Sequence, residues 1–160
     1  MEIKDNFLDG RYFNELQKDI LSCDFPWQYQ DSVANRGEDN SNHFYFIHTL
    51  YGDFAPQSNF FPRVLPVLQE LEVHSLIRIR LMLYVNQGSL VVHDKHIDFP
   101  YSHKAAVFYL NDNNGYTEFA DGAKVESVAN RVVIFDGSKE HNSTTCTDEK
   151  VRSVLSINYF

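Results

Sequence analysis

His96-Ile97-Asp98 sets an imidazole and a carboxylate two residues apart. On an extended backbone, residues i and i+2 face the same way, so a nitrogen and an oxygen ligand can be offered to one ion. A second imidazole from a distant segment completes a facial two-histidine, one-carboxylate set, and His141, just after the β-like run 131–135 and its Asp136-Gly137 turn, is the candidate. Such a set leaves coordination positions open. Fe(II) held that way can take an oxidisable co-substrate and O2 together, which a closed structural zinc site cannot do. Arg152 follows eleven residues after His141 and opens the last β-like run. Turned inward beside a metal, an arginine costs energy unless an anion pairs with it, and its planar fork suits a carboxylate such as the distal end of a dicarboxylate that also chelates iron. Each element also has a plainer reading. With seven His and thirteen Asp in the chain, chance supplies roughly half of one His-x-Asp, an ordinary hydrogen-bonded pair, and Arg152 can pair on the surface with Asp148 or Glu149.

The elements that must position these residues are legible in outline. Residues 9–22 predict a short amphipathic helix, with Asp9 able to cap it and Phe13, Leu16 and Ile20 on one face. Residues 43–48 are strand-like, and Phe61, Val64, Leu65, Leu68 and Leu71 recur at helical spacing, with Pro66 expected to shorten or kink that helix. Beyond Ser75 come short β-type runs at 76–85, 90–93, 105–110, 125–128, 131–135 and 151–159. Turn formers punctuate them: Asn86-Gln87-Gly88, Asn111-Asp112-Asn113-Asn114-Gly115, Asp121-Gly122 and Asp136-Gly137-Ser138. Thirteen Phe and nine Tyr suit pleated, half-buried surfaces. The expectation is an α+β, mainly β single domain over 1–160. Its helical N-terminal part (1–72) packs on a jelly-roll or small-barrel core (73–160).

Composition narrows the function classes. The chain is 43% apolar and 22% charged, which fits a globular protein and neither a disordered tail nor a membrane span. A net charge of −8 disfavours an electrostatic grip on nucleic acid or anionic lipid. No Gly-rich phosphate loop is present, so nucleotide-dependent phosphoryl transfer loses its usual support. The start, Met1-Glu2-Ile3-Lys4-Asp5, lacks a basic and apolar leader, and Cys23 and Cys146 make no disulfide framework, so a cytoplasmic setting is expected.

Taken in order, these motifs resemble the iron- and 2-oxoglutarate-dependent dioxygenase superfamily, and in particular the small prolyl-4-hydroxylase-type enzymes encoded by tailed bacteriophages. The resemblance runs from Asp5-Asn6-Phe7-Leu8 through Leu76-Ile77-Arg78 and His96-Ile97-Asp98-Phe99-Pro100. It continues in Tyr109-Leu110-Asn111-Asp112-Asn113-Asn114-Gly115-Tyr116-Thr117-Glu118-Phe119, in Asn130-Arg131-Val132-Val133-Ile134-Phe135-Asp136-Gly137 before His141, and from Arg152 to the end. It implies a double-stranded β-helix in which His96, Asp98 and His141 hold Fe(II) and Arg152 binds the remote carboxylate of 2-oxoglutarate. It also implies a hydroxyl from Tyr84 on the same co-substrate. The implied reaction consumes O2, releases succinate and CO2, and hydroxylates an unactivated C–H bond of a prolyl or other peptidyl side chain, with a small molecule next and a nucleobase disfavoured by the charge. Relatives that halogenate replace the carboxylate ligand by a small residue, so Asp98 favours hydroxylation.

Two positions depart from that pattern: many relatives carry Ser two residues after the arginine, where this chain has Val154, and often Asn two residues before the tyrosine, where it has Met82. Other candidates carry less. His93 stands three residues before His96 and so faces away from it on an extended chain. His103 and Tyr101 fit either a substrate entrance or an exposed turn, Arg78 and Arg80 a solvated strand face or, against expectation, a polar lumen, and Asp136 a turn aspartate. Cys146 has nothing nearby to activate it. Residues 31–42 are polar and read as an exposed loop, a candidate lid. Two other classes stay open: a catalytically silent jelly-roll binding module, and a cupin-like metalloenzyme that does not use 2-oxoglutarate.

Overall fold

The computed structural model describes residues 1–33 and 42–160. Its strands are β1 (Glu2–Lys4), β2 (Gln28–Gln30), β3 (Tyr45–Gly52), β4 (Ala55–Pro56), β5 (Leu76–Val85), β6 (Lys104–Tyr109), β7 (Asn113–Phe119), β8 (Lys124–Ser127), β9 (Arg131–Asp136), β10 (His141–Ser143) and β11 (Val151–Tyr159). The helices are α1 (Gly10–Ile20), a 3-10 turn at Phe61–Val64, and α2 (Leu65–Glu70). An antiparallel sheet runs β1-β9-β6-β11-β5-β3-β2, with β4 hairpinned onto β3, and a smaller sheet runs β10-β7-β8. This mainly β, two-sheet arrangement is the expected jelly roll.

Alternation along the strands sorts the residues into two layers. Ile79 and Leu81 of β5, Phe108 of β6, Val132 of β9 and Leu155 and Ile157 of β11 point to one side, where Phe13, Leu16 and Ile20 of α1 and Val67 and Leu68 of α2 cover them. The opposite parity, Tyr84, Val107, Tyr109, Val133 and Val154, packs toward the small sheet with Phe119 and Val125. Burying the first face removes most of the molecule's large aliphatic side chains from water, at about 25 cal/mol per Å². What remains between the sheets is a lumen in which polar side chains of the same parity are enclosed.

Local details follow the chemistry of each segment. Asp9 caps α1 by accepting from the amides of Arg11 and Tyr12 at 3.1 and 3.2 Å. Pro66 stands in the first turn of α2, where its missing N–H costs nothing, so it starts this helix and does not kink it. The run 90–93 forms no strand; only Val92 makes an isolated bridge, to Thr144. Asn113 to Gly115, read as turn, already belong to β7, because Asn114 is tied to Thr147 and Asp148 across the loop that leads into β11. The candidate lid, 31–42, falls mostly on residues 34–41, outside the described residues. Among the described residues no helix is long and apolar enough to cross a membrane.

Candidate metal centre and the cavity behind it

His96, Asp98 and His141 converge, each offering one ligand atom, with all three atoms within 4.8 Å of one another. The route differs from the sequence expectation. His96-Ile97-Asp98 lies on a connecting segment and not on a strand. What aligns it is a single antiparallel bridge: His96 N–H donates to the His141 carbonyl and His141 N–H to the His96 carbonyl, both at 3.0 Å. The two imidazoles are thereby brought to 4.6 Å between ring centroids, and Asp98 is held by its own amide donating to the Gly137 carbonyl at 2.9 Å.

The orientation of each ligand is set by groups behind it. His141 Nδ1 lies 2.9 Å from the Lys139 carbonyl oxygen; a carbonyl only accepts, so this nitrogen carries the proton and Nε2 turns its lone pair to the cluster. Burial lowers the His141 pKa, with His96 adding in the same direction, so the neutral ligand form persists into mild acid. Asp98 accepts at both oxygens: Arg78 Nη2 donates to Oδ1 at 2.7 Å and Asn158 Nδ2 to Oδ2 at 2.8 Å. Asn158 is itself fixed. His103 Nδ1 donates to the Tyr101 carbonyl at 2.8 Å, which leaves Nε2 to accept from the Asn158 amide at 3.2 Å.

Behind the triad a cavity of about 430 Å³ extends between the sheets to Tyr84 and Arg152, a size that holds a small ligand. Arg152 is fully buried. Its Nε donates to Ser127 Oγ at 2.8 Å, Nη2 to Thr117 Oγ1 at 3.1 Å and Nη1 to the Thr144 carbonyl at 3.4 Å. The guanidinium also lies against the rings of Tyr84 and Tyr109, 5.4 and 5.6 Å from their centroids. No carboxylate pairs with it among the described residues, so the surface pairing with Asp148 or Glu149 does not form. Tyr84 is buried beside it, stacked on Tyr45 at 5.7 Å, with its hydroxyl 3.2 Å from Met82 Sδ. Burial pushes its pKa up to about 12 against the pull of Arg152, so the phenol is a proton donor throughout the physiological range.

Several secondary readings change. Arg78 and Arg80 line the lumen, so the solvated-face reading is corrected: the outward parity of β5 is taken by Ile79 and Leu81 under the helices, which leaves the arginines the inner side. His103 is buried under Asp98 and Asn158 and is no exposed turn residue. His93 is buried against Tyr84, with ring centroids 5.1 Å apart, and stands outside the triad. Asp136 accepts from Ser138 as a turn aspartate. Cys146 is buried, and burial raises its pKa, so it is no activated thiol. Arg78 and Asn158 as supports of Asp98 are absent from the sequence reading, although a signal existed: they stand an even number of residues from Tyr84 and Arg152 on the same strands.

With that geometry in view, comparison with solved structures is informative about fold. A Trichoplax adhaerens prolyl hydroxylase in complex with a hypoxia inducible factor peptide fragment superposes with a TM-score of 0.71 at 14% identity, over 99% of this chain and 82% of that one. A Pseudomonas putida prolyl-4-hydroxylase gives 0.65 at 16% identity over 99% and 90%. The non-haem α-ketoglutarate-dependent epimerase SnoN from nogalamycin biosynthesis gives 0.64 at 15% over 99% and 77%. The chain therefore has the fold of these proteins along nearly its whole length. No family model matches it, and no curated protein matches it in sequence.

Proposed function

We propose that this protein is a non-haem Fe(II)- and 2-oxoglutarate-dependent dioxygenase that hydroxylates an unactivated C–H bond. The observation that carries the reading is Arg152. A buried guanidinium held by neutral oxygens and facing a cavity is costly unless an anion completes it, and the His96, Asp98 and His141 set lies along the same cavity. Two imidazoles and one carboxylate form the donor set of an open-sided iron site, and a dicarboxylate that chelates such a metal brings its second carboxylate to a cation. The shared fold with prolyl hydroxylases and an α-ketoglutarate-dependent epimerase supports the same assignment.

On this reading His96, Asp98 and His141 hold Fe(II), which supplies O2 activation coupled to decarboxylation of 2-oxoglutarate. Arg152 takes the remote carboxylate through two donors, and Tyr84, kept protonated, adds its hydroxyl there. Arg78 and Asn158 donate to the two oxygens of Asp98 and so fix the carboxylate that would hold the metal. Val154, Met82 and Val107 line the cavity with apolar surface that limits the water in it. The substrate is a peptidyl side chain or a small molecule.

The test is an anaerobic titration of metal-free protein with Fe(II) and then 2-oxoglutarate, followed by the visible charge-transfer absorption of a chelated keto acid. The band is expected in the parent, absent in His96→Ala and weakened in Arg152→Ala. Iron binding without a band overturns the 2-oxoglutarate assignment in favour of a cupin-like metal enzyme. Binding of neither points to a silent binding module.

A further inference from the structure

The pattern that the sequence resembles supplies a hydroxyl two residues after the arginine, and here that place is held by Val154. Arg152 and Tyr84 are left one hydroxyl short on their own strands. The small sheet offers one. Ser143 of β10 lines the same cavity as Tyr84 and Arg152, and it stands directly opposite Thr117 of β7, whose Oγ1 accepts from Arg152 Nη2 at 3.1 Å. Residues facing each other across an antiparallel ladder project to the same side, with Cβ atoms about 5 Å apart. The Ser143 hydroxyl also lies close enough to the Tyr84 phenol to pull against the rise that burial gives its pKa. Neighbours on both sides therefore set this hydroxyl beside Tyr84 and Arg152, whose own separation is 5.4 Å from guanidinium to ring centroid.

The direction of its proton is decided by His93. This imidazole is buried against Tyr84, and its Nδ1 lies 2.8 Å from Ser143 Oγ. Nothing among the described residues bonds its Nε2, an atom closed off from solvent. Burial keeps the ring neutral, and a neutral imidazole carries one proton, on one nitrogen or the other. Placed on Nε2, that proton would be a buried donor without an acceptor, an arrangement that folded proteins avoid more strictly than an unpaired lone pair. Placed on Nδ1, it is satisfied by Ser143 Oγ. His93 is therefore the donor in this bond, and the hydroxyl proton of Ser143 turns away from it into the cavity.

We propose that Ser143 is a third group for the remote carboxylate of 2-oxoglutarate, beside Arg152 and Tyr84, and that His93 is the positioning residue that turns the serine proton toward it. The inference rests on the functional reading above and extends it to two residues that the resemblance does not assign. An oxygen that accepts from an N–H becomes a stronger donor through its own proton, and a hydroxyl aimed before the ligand arrives binds it without the cost of reorientation. The hydroxyl lacking at 154 is thus returned from the opposite sheet.

Two measurements test this. Nuclear magnetic resonance of the imidazole nitrogens in the ligand-free protein, with the His93 signals identified by their loss in His93→Phe, is expected to show the proton on Nδ1. A proton on Nε2 overturns the inference while the reading beneath it stands. In anaerobic titrations of the Fe(II)-loaded proteins, Ser143→Ala should raise the 2-oxoglutarate dissociation constant about tenfold and leave Fe(II) affinity in place. His93→Phe should raise it by a smaller factor, and the double variant should bind no more weakly than Ser143→Ala, because His93 acts only through that hydroxyl. An unchanged constant in Ser143→Ala, an equal loss of Fe(II) affinity, or losses that multiply in the double variant overturns the inference. Failure of 2-oxoglutarate to bind the Fe(II)-loaded parent overturns the functional reading, and this inference with it.

Discussion

Val154 of β11 lies directly opposite Met82 of β5 on the lumen side of the central strand pair, one step from the facing pair Arg152 and Tyr84. The two departures from the pattern that the sequence resembles are thus one local change: where that pattern has a serine and an asparagine, this chain has two apolar side chains facing each other across the ladder. A serine introduced alone at 154 would face the thioether of Met82, whose sulfur already accepts from the Tyr84 hydroxyl, and an asparagine introduced alone at 82 would face the isopropyl group of Val154, whereas the two introduced together can bond each other.

The expected outcome is non-additivity. Val154→Ser and Met82→Asn each lower stability by about 1 kcal/mol, and the double variant recovers most of the loss. Urea unfolding of the four proteins checks this, and additive losses would show that the facing pair is not coupled.

Asp98 depends on Asn158 for its orientation. Asn158→Ala should weaken Ni(II) binding by about tenfold or more, read by competition with a chromophoric chelator. His103→Ala should weaken it less, because His103 acts only by holding the Asn158 amide. Unaltered affinity in Asn158→Ala would mean that Arg78 and the backbone suffice to aim the carboxylate.

His93 makes stability depend on pH. Burial, with His43 and Arg152 nearby, lowers its pKa to about 3 from the ordinary 6.5. Between those values the unfolded chain takes up a proton that the folded protein refuses, so stability falls as pH falls from 6.5 toward 3, by up to about 1.4 kcal/mol per pH unit. Denaturant unfolding at pH 6.5, 5.5 and 4.5 should show a steeper decline in the parent than in His93→Phe. Parallel declines would assign the acid sensitivity to other groups.

Gly115 is required by close approach and not by backbone conformation. A Cβ there would lie 2.6 Å from Arg152 Cδ, 2.6 Å from the Thr145 carbonyl oxygen and 2.8 Å from Asn113 Oδ1. Gly115→Ala should therefore displace Arg152, cost about 1–3 kcal/mol of stability and, on the proposed function, weaken 2-oxoglutarate binding more than metal binding. Isothermal titration of both ligands separates the two effects, and equal losses would indicate general unfolding.

Much of this molecule is decided locally and so is visible in the chain itself. The strands at 76–85 and 151–159 coincide with β5 and β11, and α1 follows from Asp9 and the spacing of Phe13, Leu16 and Ile20, because alternation, helical periodicity and capping act over a few residues. The ordered motif His96, Asp98, His141 and Arg152 was also legible as a set of residue types. What joins them was not. The His96 and His141 bridge links segments 45 residues apart, and no local rule states which strand a loop will lie against.

The same limit explains Arg78, Arg80 and Asn158. Each stands on a strand whose two faces are both covered, one by helices and one by the small sheet, so alternation separates the faces without saying which is apolar core and which is lumen. Only packing of α1 and α2 against Ile79, Leu81, Leu155 and Ile157 settles that. Once that face is taken by the apolar core, the polar residues of the other parity are enclosed around a cavity, and Arg152 is buried facing that cavity and not exposed as a surface charge.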